Sequence, residues 1–210
     1  MEATARWWAV KREDMTRKYE LRQRAQSQAE TRQRIVEATV ELHGSVGPAW
    51  TTISAIAARA GVQRLTVYRH FPDERSLFAA CSGHWADKHP VPNHAAWTTV
   101  ADPEERMRIA LREIYAYFRT TESMTANVRR DLPQMRTIQE IAASRAPYWE
   151  AVRTVLDRGW PARGRRRERV RAVIGHAVEF ETWRSLVRNQ GLDDAEAAEI
   201  MVGLAHGMQA

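Results

Sequence analysis

The sequence is poor in the residues that staple, break or anchor a chain. Its single cysteine, Cys81, leaves no disulfide to close within the chain, so a reducing cytoplasm is the compartment to expect. No apolar run approaches the roughly 20 residues that a membrane-spanning helix needs. No charged start leading into an apolar run and a small-residue cleavage site opens the sequence either, so a soluble, cytoplasmic chain is expected. Glycine (10) and proline (8) are scarce among the 210 residues, and alternating β-branched runs are rare. With alanine, arginine and glutamate abundant, those shortages predict an all-α fold. The signatures of catalysis are missing too. There is no nucleophile set with its base, no paired carboxylates, no phosphate loop and no metal-ligand spacing, so neither an enzyme nor a cofactor is implied.

Positive charge is what the chain does have. Lys plus Arg number 32 against 26 for Asp plus Glu, a formal charge of +6 and a pI near 10.0, which favours a polyanionic partner without proving one. Arginine dominates, and its planar fork suits phosphate or guanine, although a GC-rich genome enriches arginine as well.

Along the chain, residues 1–30 read as a loose basic arm with Trp7 and Trp8, running into a first helix that is convincing at Ile35, Thr39 and Leu42 and ends between Gly44 and Pro48. A second helix starts at the Thr51/Thr52 cap, turns Ile53, Ile56, Ala57 and Ala60 inward, and stops at Gly61. A third spans about Gln63 to His70. Pro72 and Asp73 restart the chain into a fourth carrying Leu77, Phe78, Cys81 and Trp85. Beyond "HPVPN", an Asp-Pro start opens a helix with Met107, Leu111, Ile114 and Phe118 inside. The pattern then predicts a short helix over 124–131, a longer one over 134–158, a strongly periodic one over 166–190 and a last one capped by Asp193 or Asp194.

Two helices joined by a short glycine-containing turn, the second about eight residues long, form a helix-turn-helix pattern. At 100° per residue, Val67 and Phe71 fall on the inner side of the second helix, while Leu65, Thr66, Tyr68 and Arg69 point away. A helix in a major groove has uses for such a face: Arg to guanine or phosphate, Thr to a base edge or phosphate, Leu against a thymine methyl. Tyr68 alternatively serves the core, as Phe71 does, and His70 alternatively bonds a neighbouring backbone group.

The run "RIVEATVELHGSVGPAWTTISAIAARAGVQRLTVYRHFPDERSLF", residues 34–78, resembles the DNA-binding region of the tetracycline-repressor (TetR) family of bacterial regulators. The resemblance is carried by Ile35, Ala38 with Thr39, Gly47, Thr51 and Thr52, Ile56 and Ala57, Ala60 to Val62, Thr66, Tyr68, His70, Phe71 and Leu77. It implies that Thr51 or Thr52, Tyr68 and His70 touch phosphates, and that Gln63, Arg64, Leu65, Thr66 and Arg69 meet base edges. Three positions depart from the family pattern. Gln63 replaces a capping Ser, Leu65 replaces a small residue, and Glu74 replaces a phosphate-binding Lys, which leaves Arg75 as its substitute. The implied architecture is an arm and helix extension over 1–30, a three-helix DNA-binding module over 31–72, and a larger helical effector-binding and dimerisation domain over 73–210.

One reading head contacts few base pairs, so a homodimer on two half-sites is expected. Its candidate faces are Val170, Val173, Ile174, Ala177 and Phe180, with Ile200, Val202, Gly203, Leu204 and Gly207, in the last two helices; both stripes alternatively serve the protomer's own core. Large amphipathic side chains between head and bundle leave room for a cavity, with Trp85, Trp97, Tyr115, Phe118, Met135, Trp149 and Trp183 as candidate ligand contacts. A hydrophobic or aromatic effector suits that lining better than an anion. The function expected is a ligand-responsive repressor, released from a double-stranded operator by such a molecule. Rival readings are a metal-responsive regulator using Cys81, His84, His89 and His94, a redox sensor at Cys81, or a helical adaptor that never meets DNA. The basic arm is either a solvated tail or an extra contact in the minor groove.

Overall fold

A computed structural model of the chain describes the backbone of residues 2–209 and the side chains of residues 17–209. Among the described residues every regular element is helical, and no helix is long and apolar enough to cross a membrane. Helix α1 (Glu2–Ser45) is continuous, so the segment read as a loose arm extends the first helix instead. Arg, Gln, Glu and Ala favour that conformation even where, over residues 17–30, every side chain is exposed, and the Gln26 amide donates to Glu30 one turn on (3.0 Å). The side chains of Trp7 and Trp8 lie outside the described residues.

The reading head closes around Ile35, Val36 and Ala38 of α1, which pack on Ile56, Ala57 and Ala60 of α2 (Ile53–Ala60) and on Val67 of α3 (Arg64–His70), with Phe71 beyond it. The Thr52 hydroxyl caps α2 by accepting from the Ala55 N–H (3.1 Å). Gly61 ends it in the left-handed region (φ 66°), where its N–H donates back to the Ala57 and Ala58 carbonyls and the chain turns into α3. Asp73 then caps α4 (Glu74–Lys88), and Leu77 and Cys81 return to the head core.

A second core surrounds α5 (Pro103–Asp131), whose inward stripe of Met107, Leu111, Ile114 and Phe118 is the predicted one. The stretch 124–131, expected as a separate helix, forms the last turns of α5, because nothing in it breaks the helix. Residues 134–158 divide at Arg145 into α6 (Arg136–Ser144) and α7 (Ala146–Leu156), where Pro147 has no N–H to continue the ladder. The predicted helix over 166–190 also divides, into α8 (Arg165–Ala177), α9 (Phe180–Arg184) and a single π turn over Ser185–Asn189. Glu179 is extended at the break, and the Thr182 hydroxyl bridges it by donating to the His176 carbonyl (2.7 Å). Helix α10 (Asp194–Gly207) starts in a full capping box between Asp193 and Glu196.

Candidate DNA-reading head and effector cavity

Helix α3 divides cleanly. Val67 and Phe71 are buried, while Leu65 (68% exposed), Tyr68 (46%), Arg64 and Arg69 face outward, with Thr66 and His70 half-buried beside them. One inward anchor on the seven-residue helix and one just past its end fix which side is presented. Gln63 occupies the cap position without a side-chain cap bond, so its amide is left for another partner. At the start of α2, Thr51 donates to the Gly47 carbonyl (2.8 Å), while the Thr52 oxygen only accepts in its cap and keeps its hydroxyl proton to donate. Arg75, at the start of α4, pairs with Glu140 of α6 at 2.8 Å, an exposed contact of small energetic value. Trp50, 73% exposed just ahead of Thr51, was not singled out from the sequence, where nothing in the motif marks it.

A clasp from the end of α5 joins head to body. The Asn127 amide donates to the carbonyls of His43 and Gly44, both at 3.0 Å, and the Arg130 guanidinium donates to the Val46 carbonyl at 2.8 Å. The Asp131 carboxylate accepts from the Ala49 N–H at 3.0 Å and from Arg130 at 2.7 Å. The Arg130 hydrogen bond holds the Asp131 carboxyl below the usual carboxylate range, with help from the Ala49 N–H. Gly47, at φ 99° and ψ 158°, lets the backbone pass directly over these side chains.

Beside the clasp lies a cavity of about 360 Å³, walled by α1 and α4 on one side and α5, α6 and α7 on the other. Of the candidate contacts, Trp85, Phe118 and Trp149 line it. Trp97, Tyr115 and Trp183 do not: they sit in the body core, where the two indoles donate to Glu113 (2.9 Å) and Asp194 (2.8 Å) and the phenol to the Ala177 carbonyl (2.9 Å). Each polar tip found a protein partner, which lets the whole ring be buried. Met135 lies at the α6 start, outside the lining. Sequence reasoning missed Phe78, Ile138 and Ile141, along with His43 and two arginines, Arg129 and Arg145. His43 is 5% exposed and packs on Phe78 (ring centroids 4.7 Å), and burial lowers its pKa to about 4, so it is neutral at pH 7.

The residues proposed for a metal site are dispersed. His84 bonds Gln33 (3.1 Å), His89 stacks on Trp85 and His94 meets Tyr148 edge-on; the described residues hold no group of three metal-ligating side chains. Burial pushes the Cys81 thiol up to about 12, which removes the thiolate that redox chemistry needs.

The profile of the bacterial regulatory proteins of the tetR family matches residues 35–81, the segment that builds the reading head. That segment carries the family's sequence pattern. Over the remainder the likeness is one of fold. A TetR-like transcriptional regulator from Rhodococcus sp. RHA1 superposes with a TM-score of 0.57 at 20% identity, covering 84% of this chain and 93% of that one. The transcriptional regulator FadR from Bacillus subtilis, solved with stearoyl-CoA, gives 0.56 at 20% identity (82% and 96%). NalD of Pseudomonas aeruginosa, the secondary repressor of the MexAB-OprM multidrug efflux pump, gives 0.56 at 18% (87% and 97%). No curated protein matches the sequence.

Proposed function

We propose that the chain is a TetR-family regulator, a homodimeric repressor that reads an operator with α3 and releases it when a small molecule enters the cavity between head and body. The observation that carries the reading is the outward face of α3, where Leu65, Tyr68 and Arg69 are exposed on a helix pinned from behind by Val67 and Phe71. A packing helix does not hold a leucine, a tyrosine and an arginine out to solvent together, and a groove-reading helix does. In this reading Gln63, Arg64, Leu65, Thr66 and Arg69 meet base edges, while Thr51, Thr52, Tyr68 and His70 position the head on phosphates.

Dimerisation is assigned to the outward stripe of α10. Ile200, Gly203, Leu204 and Gly207 share one exposed face, with apolar bulk beside small residues that allow close approach. Val170, Ile174, Ala177, Phe180 and Val202, considered for the same role from sequence, are committed to the protomer's core. The switch follows from the walls of the cavity. An occupant pushing α6 from α4 acts on α1 and α4 directly, tilts α4, and takes the two heads out of register. A coupling of about 1–3 kcal/mol weakens binding roughly 5–150-fold.

Selecting duplexes from a random pool with the purified protein tests DNA reading and half-site symmetry together. The wild type enriches a two-fold symmetric site, whereas Arg69→Ala loses about 1–3 kcal/mol of affinity and relaxes one position in each half-site. Full enrichment by both Arg69→Ala and Tyr68→Ala removes the assigned reading face.

A further inference from the structure

The cavity's charge is lopsided. Among the described residues two guanidiniums line it, Arg129 and Arg145, and no carboxylate does. Arg129 is already engaged: it pairs with Glu179 at 3.2 Å and lies over the Phe180 ring. Arg145 is different. It sits half-buried where α6 meets α7, and no described residue gives its side chain a hydrogen bond, an ion pair or a ring contact. Almost every other arginine near the body core is matched to a carboxylate or a carbonyl, as Arg106, Arg119, Arg153, Arg167 and Arg188 are. Most of the remaining lining is apolar, with Phe78, Met124, Ile138, Ile141 and Trp149 among it.

We propose that the cavity takes an amphipathic organic acid, an apolar chain or ring system ending in one carboxylate, with the carboxylate bound by Arg145 and the apolar body laid against α4, α5 and α6. The proposal deepens the effector reading above and departs from the neutral hydrophobic molecule expected from the aromatic residues alone. A neutral occupant covers the Arg145 guanidinium without replacing the water it loses, and covering an unpaired charge is costly. A carboxylate restores that loss through two parallel charge-assisted hydrogen bonds. His43 cannot supply the cation, because it stays neutral in its buried place on the α1 wall. The volume of about 360 Å³ is near the small end of ligand pockets, which suits a medium-chain or bicyclic acid and leaves no room for a nucleotide-linked one.

The test uses the full chain and two matched sets of probes: decanoate, decanol and decylamine, then 2-naphthoate and 2-naphthol, all below aggregation. Binding is read by calorimetry and by the fluorescence of Trp85 and Trp149 in the cavity wall. In at least one set the acid binds about 10-fold or more tightly than its alcohol, and decylamine binds more weakly than decanol. Arg145→Met brings acid and alcohol within about 3-fold of each other while alcohol binding and the melting temperature hold; Arg145→Lys retains part of the preference. Alcohols that match their acids, a preference that survives Arg145→Met, or no binding in either set overturns the proposal. Operator affinity is measured in parallel. An acid that binds through Arg145 yet leaves duplex affinity unchanged upholds the ligand class and removes the effector role.

Discussion

Replacing Gly47 with alanine tests whether the clasp between α5 and the reading head holds the two together. The residue sits at φ 99° and ψ 158°, a conformation open essentially to glycine alone, and forcing another residue into it costs about 1–3 kcal/mol. The added methyl also has nowhere to go. It would stand 2.6 Å from an Asp131 carboxylate oxygen and closer still to the Arg130 guanidinium. Either the loop lifts or the Arg130–Asp131 pair moves, and the Ala49 N–H and Val46 carbonyl lose their partners. Losing the Ala49 bond to the buried Asp131 carboxylate costs roughly another 1.5–3 kcal/mol, for a total of about 2.5–6 kcal/mol. In a chain of this size that lowers the melting temperature by on the order of 10 °C. Gly61→Ala is the control: its φ is also positive, but the methyl meets nothing within 4 Å, so strain acts there without the clasp. Thermal unfolding by circular dichroism reads both variants. A Gly47→Ala protein that melts within about 2 °C of Gly61→Ala refutes the collision argument, whatever either does relative to wild type.

Acid should weaken the fold through His43. Its pKa is 6.5 when unfolded and about 4 in its buried place, so between those values the unfolded chain binds more protons. Stability present above pH 6.5 is therefore lost as pH falls toward 4, by about 3 kcal/mol at most, and His43→Leu flattens that part of a denaturant-midpoint profile. An unchanged slope in the variant counts against the assignment. Asp194→Ala removes the paired contacts of Arg119 (2.7 and 2.8 Å) and orphans the buried Trp183 indole N–H, costing about 2–3 kcal/mol in urea unfolding; a loss under about 0.5 kcal/mol would contradict it. Ile200→Glu with Leu204→Glu should give a folded monomer in sedimentation, with operator affinity reduced at least about 100-fold; a double variant that still sediments as a dimer places the interface elsewhere.

The reading head was legible because its signals are local. The Thr52 cap, Gly61 as the left-handed stop, Asp73 as a cap and the spacing of Val67 with Phe71 each act within a turn or two of chain, and each stands where sequence placed it. The body was less so. Pro147 marked the division at Arg145 and was read through, but the break at Glu179 carries no glycine or proline and is held by Thr182 reaching back to His176. Sorting the aromatics was beyond sequence for a related reason. Trp97 and Trp183 look no different from Trp85 and Trp149 until Glu113 and Asp194 arrive from other turns to satisfy their indoles. Arg75 shows the same limit, because its partner Glu140 is sixty-five positions away.

The cavity's walls bear on how such a protein can be re-engineered. Val40, His43 and Pro48 belong to the helix-turn-helix segment yet form part of the cavity wall. Grafting residues 1–72 onto another body would transplant a piece of the sensor with the reader, and a foreign reader on this body would arrive without its share of the wall. On the proposed function, small-molecule selectivity and operator choice are therefore not separable modules in this chain, and a hybrid needs these three positions taken from the same protein as its body.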